Sequence, residues 1–94
     1  MIKEDKLQKY FNITSKALKK IKIIDENFEI NSKKIAEDFL DMAQRYFDDA
    51  KHFYEKGDKD TAFAALNYAH GWLDAGVRLG IFDVDGDDQL FVLK

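Results

Sequence analysis

The carboxylates near the C-terminal end are the residues whose spacing most suggests metal chemistry. Asp83, Asp85 and Asp87 alternate along the chain, which is how a calcium-binding loop begins. The rest of that pattern is absent, because position six is Asp88 where the loop needs glycine, and position twelve is Lys94 where it needs a bidentate glutamate. We therefore expect a turn with solvated carboxylates and no metal site.

Histidine and arginine could support nucleic-acid chemistry. Arg45 and His52 are seven residues apart, so both side chains share one face of a helix. Their spacing resembles the pattern of helical ribonucleases of the HEPN type, in which arginine stabilises the phosphate and histidine transfers a proton. However, Tyr46 follows the arginine where those enzymes usually carry a polar residue. His52 and His70 fall on different predicted helices, far apart along the bundle, and do not predict a metal site.

The composition limits the possible functions. The 94 residues make one domain, residues 1–94, and contain no cysteine and no proline. Without cysteine there is no disulfide framework, thiol nucleophile or cysteine-based zinc site, and without proline long helices are favoured. No apolar run approaches the ~20 residues of a membrane span, and the first residues lack the apolar core of a signal peptide. We expect a cytoplasmic protein with no membrane contact and no cofactor.

Charge is distributed unevenly along the chain. Residues 1–34 contain nine lysines and five acidic residues, whereas residues 35–94 contain six basic and thirteen acidic residues. The favoured interpretation is that a lysine-rich first helix packs against acidic neighbours. The alternative is a basic stripe that binds RNA or DNA.

Three segments have apolar residues at helical spacing and predict helices over about residues 4–24, 32–56 and 58–80. The first helix has one apolar face: Leu7, Tyr10, Phe11, Thr14, Ala17, Leu18, Ile21 and Ile24. The second starts near Ser32, a good N-cap, and has a heptad seam: Ala36, Leu40, Ala43, Phe47, Ala50 and Tyr54. The third has a similar seam: Ala62, Leu66, Ala69, Leu73, Gly76 and Gly80. The short connection at Gly57 and Asp58 makes the last two helices antiparallel neighbours, so the predicted fold is all-α, an up-and-down antiparallel three-helix bundle.

The tail, residues 81–94, has a different pattern. Apolar runs at 81–84 and 89–93 flank Asp85 and Gly86, which is a hairpin signal. An isolated hairpin is only marginally stable, so an ordered tail has to pack on the bundle or on a partner.

Two glycines inside the third helix need an explanation, because each costs ~1 kcal/mol relative to alanine. Gly71 and Gly76 either allow another backbone, from the first helix or the tail, to approach closely, or they form a small-residue surface for a second protein chain. The residues of that candidate interaction surface are Tyr68, Gly71, Trp72, Asp74, Ala75, Gly76 and Arg78. Asp74 and Arg78 also have the spacing of a solvated ion pair. A minor alternative is a small-ligand site lined by Tyr46, Tyr68 and Trp72.

The last two helices also carry a family resemblance. The residues concerned are Asp49, Ala50, Phe53, Gly57, Asp58, Ala62, Tyr68, Ala69, the run from Gly71 to Gly76, Leu79 and Gly80. In these residues the chain resembles the archaeal domain-of-unknown-function family 357. The resemblance implies a small three-helix bundle from an archaeal cytoplasm, and it implies no catalytic residue.

Together these patterns predict a non-enzymatic protein–protein interaction or self-association module, with a protein partner or a homodimer. The alternative is an RNA- or DNA-binding protein, or a ribonuclease of the HEPN type that uses Arg45 and His52.

Overall fold

The computed structural model describes residues 2–23 and 32–86. Three helices are present in this part of the chain: α1 (Glu4–Lys20), α2 (Ser32–Glu55) and α3 (Lys59–Arg78). Two short strands, β1 (Lys22–Ile23) and β2 (Phe82–Asp83), follow α1 and α3. The helices pack on one another as a compact bundle, which confirms the predicted all-α fold.

A sharp elbow joins α2 to α3. Gly57 has φ of +84°, and the backbone N–H groups of Gly57 and Asp58 donate to the carbonyls of Tyr54 and Phe53. These two bonds form a Schellman motif, which requires the left-handed conformation that glycine adopts without strain. The Asp58 side chain then caps α3 by accepting from the N–H of Thr61 at 3.1 Å, and this hydrogen bond lowers the pKa of Asp58.

α1 closes the groove between the other two helices at one side. Near its start, Tyr10 packs edge-on against Phe63 of α3, with ring centroids 5.0 Å apart. Phe11 packs edge-on against Phe47 and Tyr54 of α2. The start of α1 therefore lies beside the end of α2 and the start of α3, as an up-and-down bundle requires.

α1 ends at Lys20, four residues before the predicted end at Ile24. Ile21 has extended backbone angles, and the chain continues as β1. The apolar periodicity continues past the helix because Ile21 and Ile23 pack on the same core from an extended backbone. Residue 24 lies outside the described residues.

The tail packs on the bundle through a pairing that the sequence did not predict. β2 pairs with β1 in an antiparallel register, Lys22 with Asp83 and Ile23 with Phe82. The second strand of the predicted hairpin, residues 89–93, lies outside the described residues. In the described part of the tail, residues 81–86, the buried apolar side chains are Ile81, Phe82 and Val84.

Among the residues that the structure describes, two apolar clusters form the core. The tail-end cluster contains Ala17, Ala36, Ala43, Leu73, Ile81, Phe82 and Val84. The elbow-end cluster contains Leu7, Phe47, Ala50, Ala62, Ala65, Leu66 and Ala69.

A polar cluster fastens the start of α1 to the elbow. The Glu4 carboxylate accepts from the Tyr54 hydroxyl at 2.9 Å and from Gln8 Nε2 at 3.0 Å, and it lies 3.0 Å from Lys59 Nζ. These hydrogen bonds, that of Gln8 first, lower the pKa of Glu4. The Ile2 N–H adds a bond to Asp60 at 2.9 Å. One carboxylate on α1 thus contacts both of the other helices.

Candidate interaction surface

An open groove of about 590 Å³ lies along the side of α2 and α3 that α1 does not cover. Its lining residues are Tyr46, Ala64, Asn67, Tyr68, Gly71, Trp72 and Ala75. All of these except Tyr46 come from α3.

Aromatic rings from α2 support the groove. The ring of Tyr46 stacks on that of Tyr68, with centroids 5.2 Å apart and an interplanar angle of 18°. Trp72 packs edge-on against Phe39 at 5.0 Å. Trp72 is half-buried, whereas Tyr68 is 63% exposed. Tyr68 is thus a large aromatic side chain held in place by a neighbour but mostly open to solvent.

The solvent face of α3 is uncharged over most of its length. Its exposed residues between the two ends are Thr61, Ala64, Asn67, Tyr68, Gly71 and Ala75. Charged residues occur on this face only at the ends, as Asp60 and Arg78. The exposed face of α2 is different, because most of its residues are charged. An exposed apolar face with a polar rim is typical of an interaction site.

The two helical glycines have different environments. A Cβ at Gly76 would overlap the ring of Phe82, so Gly76 makes room for the buried ring of the tail. The sequence analysis left two interpretations of this glycine open, a closely approaching backbone and a surface for a second chain. At Gly76 the tail does approach, but it does so through the Phe82 side chain and not through its backbone. A Cβ at Gly71 would meet nothing within 4 Å. Nothing within the described chain therefore accounts for glycine at position 71.

Four of the seven predicted surface residues line this groove: Tyr68, Gly71, Trp72 and Ala75. The other three lie elsewhere. Gly76 is buried beneath Phe82, and Arg78 is exposed beyond the end of the groove. Asp74 faces the side of α3 that packs near α1, where its carboxylate lies 3.8 Å from Nε2 of His70.

Two lining residues of the groove are not among the predicted surface residues, Ala64 and Asn67. Ala64 lies four residues before Tyr68 and seven before Gly71, so the heptad spacing could have identified it. Asn67 is polar, and spacing alone would not have selected it. Tyr46, Tyr68 and Trp72, predicted to line a small-ligand site, do lie around the same groove.

Arg45 and His52 are both exposed on α2. Nε of Arg45 lies 2.8 Å from Oδ2 of Asp41, one turn earlier on the same helix. The ring of His52 contacts that of Phe53, with centroids 5.7 Å apart. The guanidinium is therefore already paired with a carboxylate, and the ribonuclease alternative stays a prediction.

The metal interpretations gain no support from the geometry. Within residues 2–23 and 32–86, no group of three or more histidine and carboxylate side chains could hold a metal ion. In the turn after β2, the Asp85 N–H donates to Asp83 Oδ1 at 3.0 Å, and Asp85 Oδ2 lies 3.5 Å from Lys22 Nζ. Asp87 and Asp88 lie outside the described residues.

The lysines of the first third of the chain have mixed surroundings. Lys22 lies in β1, just after α1, and its Nζ is 3.5 Å from Oδ2 of Asp85. The packing of a lysine-rich first helix against acidic neighbours stays a prediction. Lys6 lies over the ring of Phe63, with Nζ 5.4 Å from the centroid. Lys9, Lys16 and Lys19 are exposed along α1.

No helix of the described part is long and apolar enough to cross a membrane.

Comparison with known proteins identifies the class of this bundle. Residues 9–82 match the family of proteins of unknown function DUF357, and the chain belongs to that family. The match covers all of α2 and α3 and extends to the buried Phe82. No curated protein and no solved structure matches the chain.

Proposed function

We propose that this protein is a non-enzymatic protein–protein interaction module and that the groove between α2 and α3 is its contact surface. The observation that carries the proposal is the uncharged, partly aromatic solvent face of α3, with Tyr68 63% exposed at its centre. Burying an apolar face of this kind against another polypeptide is favourable by roughly 25 cal/mol per Å². Rigid aromatic anchors such as Tyr68 and Trp72 concentrate that binding energy.

A small-ligand site in the same groove fits less well. Sites for small molecules enclose most of the ligand and hold it with a few convergent polar groups. This groove is open along one side, and Asn67 supplies its one amide. A polypeptide that lies along the helix would cover far more of this surface than a small molecule would.

A photoreactive phenylalanine analogue in place of Tyr68 tests the proposal. The modified protein is irradiated in an extract of the source cells, both alone and with an excess of unmodified chain or of the Tyr68→Glu variant. We expect a discrete polypeptide adduct that an excess of the Tyr68→Glu variant does not reduce, because a carboxylate in this groove would be desolvated on binding. An excess of unmodified chain should compete the adduct away if the partner is another polypeptide. If the partner is a second copy, the unmodified chain should itself be captured, as an adduct with the mass of two chains.

The matched control carries the same analogue in place of Asn12, an exposed residue of α1 on another side of the bundle. Helical circular dichroism establishes that each variant is folded. If position 68 gives no more adduct than position 12, the groove is not a contact surface.

A further inference from the structure

The solvent face of α3 is complementary to a second copy of itself. Four of its residues follow a 4, 3, 4 spacing: Ala64, Tyr68, Gly71 and Ala75. This spacing reads the same in both directions, so a two-fold axis midway between Tyr68 and Gly71 pairs Tyr68 of one chain with Gly71 of the other. The same axis pairs Ala64 with Ala75.

The sizes of the side chains fit this pairing. Tyr68 is the large exposed side chain of the seam, and Gly71 has no side chain and has open space above it. The pairing therefore places the largest residue of one copy over the smallest residue of the other. It also accounts for a glycine that weakens the helix and that no contact within the described chain requires.

The charges fit as well. In an antiparallel pair, the start of one α3 lies beside the end of the other. Asp60 and Arg78 are exposed at these two ends and have opposite charge, and they fall within one residue of each other across the axis. A parallel pair would place Asp60 beside Asp60 and Arg78 beside Arg78, and like charges in such positions disfavour that arrangement.

We infer that the occupant of the groove is a second copy of this chain, bound as an antiparallel two-fold homodimer through α3, with Tyr68 seated on Gly71 of its partner copy. The inference rests on the proposed function and specifies its partner. An isologous interface of this kind needs one self-complementary surface patch, and the face of α3 provides it.

Disulfide trapping tests the geometry directly, because the chain contains no cysteine. The double variant Ala64→Cys/Ala75→Cys should form a covalent dimer under mild oxidation. Each single variant should not, because two copies of position 64 lie roughly 16 Å apart along the paired helices, eleven residues at ~1.5 Å each. A disulfide requires Cα atoms within about 7 Å. Single variants that cross-link as efficiently as the double variant would overturn the antiparallel pairing.

A second experiment measures the contact of Tyr68 with Gly71. Gly71→Leu fills the space above the glycine but improves helix propensity, so the variant should fold. We expect its dimer dissociation constant, from light scattering or sedimentation, to rise by at least about tenfold. Asn12→Leu adds the same side chain to an exposed position of α1 and should leave the constant unchanged.

The outcomes separate the two proposals. A wild-type chain that stays monomeric at high micromolar concentration overturns the homodimer. If the analogue at position 68 then forms an adduct with a different polypeptide, the protein is still an interaction module. If it forms none, both proposals fail.

Discussion

At the scale of single residues, two glycines of one helix have different roles. Gly76 lies against the Phe82 ring, and a Cβ there would overlap the ring. Gly71 lies five residues earlier in the same helix and has open space around it. A glycine at either position lowers the stability of the helix. Only at Gly76 does a contact within the described chain, with the Phe82 ring, compensate for this cost.

The same substitution should therefore have opposite effects at the two positions. Gly71→Ala should stabilise the monomer by about 0.5–1 kcal/mol, because alanine has the better helix propensity. Gly76→Ala should destabilise it by about 1–3 kcal/mol, because the buried Phe82 ring has to move. Urea unfolding measures both changes in the free energy of unfolding, at protein concentrations where light scattering shows a monomer. Equal effects of the two substitutions would contradict the contact with Phe82.

At the scale of elements, the tail depends on buried apolar side chains more than on its strand. β2 is only two residues long and pairs only with β1 in the described part of the chain. A two-stranded pairing this short has little stability of its own. The tail is held against the bundle by the burial of Ile81, Phe82 and Val84 in the tail-end cluster, and Phe82, at 4% exposure, is the largest of these side chains.

Phe82→Ala should lower the free energy of unfolding by about 3–5 kcal/mol, the usual cost of removing a buried phenylalanine ring. It should also remove the penalty of Gly76→Ala, because the ring that a Cβ would meet is gone. A double-mutant cycle measures this coupling, and we expect an interaction energy of at least about 1 kcal/mol. Strictly additive effects would mean that the two residues do not touch.

At the scale of the whole molecule, the Glu4 carboxylate connects all three helices. Its partners are Gln8 of α1, Tyr54 of α2 and Lys59 of α3. These partners favour the charged form and lower the pKa of Glu4. Asp58 at the elbow has a lowered pKa for a similar reason, the hydrogen bond from Thr61.

A lowered carboxylate pKa sets the direction in which folding stability changes with pH. The unfolded chain binds the proton more readily than the folded one, so protonation favours unfolding. The stabilisation from Glu4 is complete above its usual pKa and is lost as the pH falls through the lower pKa of the folded state.

Wild-type protein should accordingly lose stability as the pH falls from about 5 to about 3. The Glu4→Gln variant should lose less stability over this pH range, because glutamine carries no titrating proton. The loss of stability of the Tyr54→Phe variant should lie between those of Glu4→Gln and the wild type. Thermal unfolding across the pH series measures the effect. Parallel curves for Glu4→Gln and wild type would show that the cluster around Glu4 does not stabilise the fold.

The sequence by itself determined the features that depend on residues a few positions apart. The apolar periodicity predicted three helices, and Gly57 with Asp58 predicted the short connection between the last two; each is present in the described part of the chain. The run from Gly71 to Gly76 pointed to the family, and residues 9–82 match it. These signals are local, because caps, turns and helical spacing are set by neighbouring residues.

Only the tertiary structure decided which side of α3 remains open. This helix is apolar on several sides, so its sequence does not determine which side α1 and the tail will cover. The pairing of β1 with β2 joins residues about sixty positions apart, and no local pattern specifies it. The position of Phe82 also explains why Gly76 is buried and Gly71 is exposed, because the ring covers only Gly76. A glycine's role depends on the atoms that approach it from elsewhere in the chain.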